Sequence, residues 1–295
     1  MRAKNFCIAA ASLVLTALCL KAVPSSATDW QEVFLNKDMA EGCIVFNKDE
    51  AVWKDNFGID LSHVRDGVVT VSCRSGKPLK LLSSMNGKTA SYSIRSDGTP
   101  FTMPLNLGNG AYEVSVMEHV EGISYAHAFT VDARLADMIY PSKVLDHVPP
   151  YSCTNGYVPY KEDSFCVKEA NRLAKETVSK AEFIESVESY VREHIEYDDS
   201  YVPGVLADHE INPDKTLVDG KGICLDFASL TAAMLRSQGV PARLVFGHVL
   251  IKSPLTGYET SEYHAWNDAY IDGGWARLDA CLSGDNITYQ PEQYF

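Results

Sequence analysis

The sequence predicts an α+β protein in which a small antiparallel β-sandwich precedes a unit built from helices and strands. Two observations support this fold class. From Gly42 to about Ala133, short alternating apolar runs are separated by turn dipeptides, whereas from Phe165 the apolar residues recur with the period of a helix. The 295 residues suffice for two such units, which we place at residues 28–133 and 165–295, with a linker at 134–164.

The first 27 residues predict a secretory signal peptide. Arg2 and Lys4 precede a mostly apolar stretch at residues 6–20, and the small residues at 25–27 offer a cleavage site. A membrane-spanning helix needs about 20 apolar residues, and Lys21 interrupts this stretch. We therefore expect cleavage, no stable membrane insertion afterwards, and a secreted or cell-envelope location.

The charge of the chain excludes one class of partner. The formal net charge is −13, and removal of the signal peptide, which carries three bases and no acid, lowers it to −16. Nucleic-acid binding proteins need a basic surface for the phosphate backbone, so neither DNA nor RNA is expected as a partner. The acidity could favour basic partners, although solubility alone explains it more simply.

Within the first unit, four dipeptides of Asn or Asp with Gly predict hairpin turns, because these residues tolerate positive φ. They are Asp66–Gly67, Asn86–Gly87, Asp97–Gly98 and Asn109–Gly110. Two amphipathic helices follow the linker, and their apolar stripes are expected to face the core. The first stripe is Val167, Ala170, Leu173 and Ala174, and the second is Phe183, Ile184, Val187, Tyr190, Val191 and Ile195.

A cysteine at the start of a third helix is the first residue with predicted chemistry. Gly222 precedes Cys224, and apolar residues then keep helical spacing until Gly239 and Pro241 end the helix. Unpaired N–H groups and the helix dipole stabilise a thiolate at this position and lower its pKa. The same N–H groups can receive a developing oxyanion. Asp226, in the first turn, is interpreted as a solvated or a helix-starting carboxylate.

A hairpin follows this helix and brings a histidine and a carboxylate together. If Asp272 and Gly273 form a two-residue turn, then His264, Trp266 and Asp279 point to the same side of the sheet. A three-residue loop would instead turn Asp279 away. In the first register Cys224 would attack an acyl carbon, His264 would take and return the proton, and Asp279 would orient the imidazole. Trp266 and Trp275 are expected to pack around the site.

The six cysteines outside the signal peptide allow other interpretations. In an oxidising compartment disulfides persist, and we expect them between Cys43 and Cys73 and between Cys153 and Cys166. A bridge between Cys224 and Cys281 is the main alternative to a nucleophilic Cys224. A metal site made of Cys224, His264 and Asp279 is a weaker alternative, because the chain lacks zinc-type ligand spacing and a calcium loop. No metal or cofactor is therefore expected.

Three motifs in order resemble the transglutaminase-like superfamily. They are Gly-Ile-Cys-Leu-Asp-Phe-Ala, Tyr-His-Ala-Trp-Asn and Gly-Gly-Trp-Ala-Arg-Leu-Asp, within a region from about Val167 to Leu282. The resemblance implies a papain-like α+β fold for the second unit, with Cys224, His264 and Asp279 at the family's triad positions. It leaves the reaction open, and it does not place the second oxyanion donor.

Three functional interpretations remain. The favoured one is a secreted cysteine hydrolase that cleaves amide bonds of protein or cell-wall peptide through a thioester. The second is a transglutaminase with the same triad, in which an amine replaces water. The third is a binding or scaffolding protein with an inert triad. The sequence predicts no oligomeric state.

Overall fold

The computed structural model describes residues 44–135, 149–152, 154–200 and 209–295. The signal peptide, Cys43, Cys153 and linker residues 136–148 lie outside these ranges. The described residues form several antiparallel sheets together with helices, which confirms the predicted α+β class. Among them, no helix combines the length and apolarity needed to cross a bilayer.

The first unit consists of two four-stranded antiparallel sheets. Their orders are β1-β2-β3-β6 and β5-β4-β7-β8. Alternating side chains of both sheets, such as Val69, Leu81 and Val114, are fully buried in the core. The strands are β1 Val52–Lys54, β2 Phe57–Asp60, β3 Val68–Cys73, β4 Leu79–Met85, β5 Lys88–Ile94, β6 Phe101–Pro104, β7 Gly110–Glu121 and β8 Ser124–Leu135.

The turn predictions have mixed outcomes. Asn86 and Gly87 both have positive φ and join β4 to β5 in a two-residue hairpin, as predicted. The hairpin prediction for Asp66–Gly67 is wrong, because Gly67 instead ends a 3₁₀ helix at Val64–Asp66 in the left-handed conformation. The hairpin between β7 and β8 turns at Gly122 and Ile123, which the sequence analysis did not single out.

Helices of the second unit surround one buried helix. The helices are α1 Pro149–Ser152, α2 Phe165–Glu176, α3 Lys180–His194, α4 Pro213–Asp219 and α5 Cys224–Ser237. The predicted stripes of α2 and α3 face the core, although Tyr190 is only partly buried. Nearly every residue of α5 is buried, because α2, α3, α4 and β12 all pack against it. The packing around α5 therefore fixes the position of its N-terminus.

A four-stranded antiparallel sheet carries the rest of the second unit. Its order is β13-β12-β11-β14, so the hairpin strands β12 and β13 lie at one side. Strand β14 was not anticipated from the sequence. The strands are β9 Glu196–Tyr197 and β10 Lys221–Gly222, which pair in parallel ahead of α5, and then β11 Ala242–Lys252, β12 Glu259–Ile271, β13 Gly274–Leu278 and β14 Ile287–Tyr294.

An aromatic cluster joins the two units. Tyr92 of the sandwich lies 4.8 Å from Phe295, and Phe101 lies 6.1 Å from Tyr157, measured between ring centroids. Tyr157 also contacts Phe246 of β11, at 5.6 Å. Tyr157 falls within the predicted linker, so this part of the linker packs against both units. The sandwich and the second unit consequently share one continuous hydrophobic core.

Candidate active site

Cys224 is the first residue of α5, and the backbone ahead of it is fixed by a carboxylate. The Ile223 N–H donates to Oδ2 of Asp226 at 2.9 Å, and Ile223 has an extended conformation. Only glycine fits at position 222, because a Cβ there would lie 2.5 Å from the Asp226 Cβ. The Cys224 N–H occupies the first helical position, where it has no acceptor in a preceding turn. Among the described residues no acceptor is assigned to this N–H, and its direction suits the binding of an anion.

Asp226 has a second partner that the sequence analysis did not identify. Its Oδ1 lies 2.7 Å from Nε2 of His209, and the Asp226 side chain is buried. The pair connects the segment before α4 to the first turn of α5. Asp226 is thus a helix-starting carboxylate, as predicted, and it also holds His209 beside the N-terminus of α5.

The β12–β13 hairpin has the register that the two-residue turn predicted. Ile271 pairs with Gly274, and Asp272 and Gly273 form the turn with positive φ. The paired strands end at Leu278, and the chain then places Asp279 beside His264. The distance from His264 Nε2 to Asp279 Oδ2 is 2.8 Å, and both side chains are buried.

Two neighbours set the charge state of His264. Burial by itself lowers the pKa of this imidazole, but the hydrogen bond to Asp279 and its charge, together with the nearby Cys224, raise the pKa to about 9. Because Nε2 is bonded to Asp279, the other ring nitrogen, Nδ1, is the one left for the Cys224 thiol. The structure thus brings together all three residues singled out by sequence.

Four hydrogen-bond donors surround the Asp279 carboxylate. Oδ1 accepts the backbone N–H groups of Cys281 and Leu282, both at 2.9 Å. Oδ2 accepts from His264 and from the Tyr289 hydroxyl, the latter at 2.9 Å. A carboxylate accepts at both oxygens, so Asp279 satisfies every one of these donors in its ionised form.

Helix α3 holds the backbone of Asp279. The Asp279 N–H lies 3.3 Å from Glu188 Oε1, and Arg192 Nη2 donates to the Asp279 carbonyl oxygen at 2.8 Å. The same Arg192 nitrogen lies 2.6 Å from Glu188 Oε1, so the two side chains support each other. The position of Asp279 is therefore fixed by α3 as well as by the sheet.

Strand β14 supplies Tyr289, which sequence reasoning missed. Its ring contacts Trp266 edge to face at 5.1 Å, and Trp266 in turn lies 6.2 Å from the His264 ring and nearly parallel to it. Burial and the nearby Asp279 charge raise the pKa of Tyr289, which keeps its hydroxyl a donor. Trp275, by contrast, contacts Arg243 and two tyrosines and does not wall the site.

Removal of the Tyr289 hydroxyl gives the first testable prediction. In Tyr289→Phe, Asp279 loses one hydrogen-bond donor, and the carboxylate that orients the His264 imidazole is held less firmly. We therefore expect kcat to fall about tenfold, with little change in KM. Steady-state kinetics would measure this. Tyr258→Phe is the matched control, because that residue is 71% exposed and should leave kcat unchanged. Equal kcat values for Tyr289→Phe and the unmodified enzyme would contradict the role of Tyr289.

The cysteines bear on the disulfide predictions. The cysteines in the described residues are Cys73, Cys166, Cys224 and Cys281, and none of them is bridged to another of the four. The expected partners Cys43 and Cys153 lie outside the described residues, so those two bridges stay predictions. Cys224 and Cys281 are not bridged to each other, and both are half-buried. Burial, with Asp279 and Cys224 nearby, raises the pKa of the Cys281 thiol.

A metal interpretation finds no supporting geometry in the ranges that the structure describes. There, no group of three or more His, Cys, Asp or Glu side chains is placed to hold an ion. The ring nitrogen of His264 that a metal would need on the Asp279 side is occupied by a hydrogen bond. The arrangement instead has the form of a thiol, an imidazole and a carboxylate in series.

Residues 168–280 match the family model described as the transglutaminase-like superfamily. An uncharacterised protein of Mycobacterium leprae (strain TN) is 39% identical over 77 residues, which cover 25% of this chain and 27% of that protein. The chain thus spans about a quarter of the length of this curated relative.

Several solved structures are similar to the chain. A protein from Cytophaga hutchinsonii, described as a cysteine protease, is 18% identical, with 79% of this chain and 74% of that chain covered and a TM-score of 0.41. The periplasmic domain of TgpA from Pseudomonas aeruginosa is 13% identical over 79% and 73% of the two chains, with a TM-score of 0.33. LapG of Legionella pneumophila is 18% identical over 45% and 84%, with a TM-score of 0.29.

Proposed function

We propose, from the match of residues 168–280 to the transglutaminase-like superfamily, that this protein is a cysteine-dependent acyl-transfer enzyme of the amidase or peptidase type. The observation that carries the proposal is the buried hydrogen bond between His264 and Asp279. Cys224 lies near the same imidazole and also raises its pKa. In this arrangement Cys224, His264 and Asp279 are the catalytic residues.

The proposed reaction has two halves. The Cys224 thiol first gives its proton to His264, and the thiolate sulfur then adds to the carbonyl carbon of a peptide or side-chain amide. The Cys224 N–H stabilises the oxyanion. The protonated His264 gives its proton to the departing amine, the C–N bond breaks, and a thioester remains on Cys224. His264 then takes a proton from water, whose oxygen attacks the thioester carbon. The C–S bond breaks, His264 returns the proton to the sulfur, and the carboxylic acid and the Cys224 thiol are formed.

The proposed substrate is a protein or peptide outside the cytoplasm, for which the signal-peptide pattern at residues 1–27 is the support. No cofactor enters this reaction scheme, because thiol, imidazole and water balance it. Transamidation by an amine would use the same residues. The experiment below therefore measures both products.

A proteome-derived peptide library, incubated with the mature protein and a fluorescent primary amine, tests the proposal. We expect new peptide termini by mass spectrometry, absent in Cys224→Ala and retained in Cys281→Ala, a control that removes the neighbouring thiol. Amine incorporation in place of cleavage would make the protein a transglutaminase. Neither product, with Cys224 no more reactive toward iodoacetamide than an ordinary thiol, would indicate a non-catalytic binding protein.

The raised pKa of His264 predicts the alkaline side of the pH profile. The imidazole must carry the proton that the leaving amine receives, so we expect kcat/KM to fall above about pH 9, roughly tenfold per pH unit. A fall centred near 6.5, the ordinary value, would contradict this prediction.

The raised pKa of His264 also makes the stability of the fold depend on pH, so the free energy of unfolding must be measured alongside kcat/KM. A pKa raised in the folded state stabilises the protein fully below about pH 6.5, and that stability is lost as pH rises through about 9. Urea unfolding at each pH is therefore the control, because it separates loss of the catalytic proton from loss of folded enzyme.

A further inference from the structure

An exposed tryptophan lies on the outer face of the first sheet, far along the chain from the triad. Trp53 of β1 pairs with Gly58 of β2, which pairs with Ser72 of β3, so the three residues form one row across the sheet. Neighbouring Ile59 and Val71 point inward and are buried in the core. In this row Gly58 is buried under the indole and Ser72 is half-buried, whereas the indole itself is 41% exposed.

The indole is held flat by the glycine beneath it. A Cβ at position 58 would lie 2.7–2.9 Å from three carbons of the six-membered ring of Trp53, so the ring lies face-on over the Gly58 backbone. Its Nε1 donates to the Lys48 carbonyl oxygen at 3.1 Å, and Phe46 packs perpendicular to it at 5.7 Å. The ring has one fixed orientation, which limits the entropy lost when a ligand stacks on it.

Polar and charged side chains surround this ring. A cavity of about 410 Å³ is lined by Trp53, Ser72 and four exposed residues, namely Lys48, Asp55, Asn56 and Arg74. None of those four side chains has a hydrogen bond or ion pair with another described residue. Arg74 lies along Gly98, since a Cβ there would be 2.6 Å from its Nε. Two cations, one carboxylate and one amide thus border a flat aromatic surface.

This chemistry matches a sugar ring better than an apolar ligand. A pyranose has an apolar C–H face that stacks on an indole, and hydroxyl groups around its edge that amide, ammonium and guanidinium groups bind. The rim carries a net positive charge in a chain whose formal charge is −13, which favours a ligand with carboxylates. We propose that the Trp53 face binds a carboxylate-bearing saccharide, independently of the proposed enzymatic function.

Isothermal titration of the mature protein tests this proposal. The probes are oligogalacturonate, a hyaluronan hexasaccharide and a sialylated trisaccharide, with cellopentaose as the neutral control. We expect binding of at least one acidic probe over cellopentaose, an affinity loss of about tenfold or more in Trp53→Ala, and partial retention in Trp53→Phe. Val52→Ala is the matched control, since it removes an exposed apolar side chain from the next position of β1.

Two further variants test the charge preference of the site and its independence from Cys224. Arg74→Gln should remove the preference for acidic over neutral saccharides without unfolding the sandwich. Cys224→Ala should leave binding unchanged, so that this proposal and the enzymatic one can fail separately. The proposal is overturned if no acidic saccharide binds, if folded Trp53→Ala binds with unchanged affinity, or if a pentaglutamate peptide competes equally well.

Discussion

Replacement of Asp279 by asparagine is expected to lower kcat/KM roughly 10³- to 10⁴-fold. An amide has one acceptor and one donor side, but both Asp279 oxygens face donors. If the Asn oxygen satisfies the N–H groups of Cys281 and Leu282, its NH₂ group faces His264 Nε2. That contact favours a proton on Nδ1 of His264, where the neutral ring cannot accept one from the Cys224 side.

Asp268→Asn is the matched control for this prediction. Asp268 lies on the same strand as His264 but pairs with Arg243 at 2.8 Å, away from the triad. We expect its kcat/KM to stay within about threefold of the unmodified value. If the two variants lose similar activity, the loss reflects strain in the hairpin, and the argument from the imidazole tautomer is wrong.

Replacement of Gly247 by alanine is expected to lower the free energy of unfolding by about 2–3 kcal/mol. A Cβ at this position would collide with the backbone oxygen of Gln290 and lie 2.9 Å from both Pro291 Cα and the Trp266 ring. Backbone atoms cannot rotate aside as a flexible side chain can. Strand β14 must therefore shift, and because it carries Tyr289, kcat should fall as well.

Urea denaturation would measure this loss of stability. Gly274→Ala is the matched control in the same sheet, since nothing lies within 4 Å of its Cβ position. Its free energy of unfolding should change by no more than about 0.5 kcal/mol. A Gly247→Ala protein as stable as Gly274→Ala would mean that β11 and β14 separate easily at this point.

The parts of the site encoded by local sequence could be predicted. The position of Cys224 followed from Gly222 ahead of it and the apolar helix after it, and the register of His264 followed from the two residues Asp272 and Gly273. Each of these signals lies within a few residues of the feature that it determines. Turn chemistry is a local property, which is why this register could be read from one sequence.

The supporting residues could not be predicted in the same way. Glu188 and Arg192 act on Asp279 from about ninety positions away, and Tyr289 comes from a strand whose pairing with β11 is set by tertiary packing. An exposed-looking Glu–Arg pair at helical spacing usually indicates a solvated helix face. Only the arrangement of α3 against the end of β13 gives that pair a second partner.

The aromatic cluster that joins the sandwich to the second unit limits how this protein can be recombined. Tyr92 and Phe101 pack against Phe295 and Tyr157, respectively, and Tyr157 also contacts Phe295. If the two units were separated, each would expose aromatic side chains that are now buried between them. Transplanting the triad-bearing half onto a foreign scaffold would leave these rings in water and invite self-association. A fusion protein or a domain exchange should therefore include both units together.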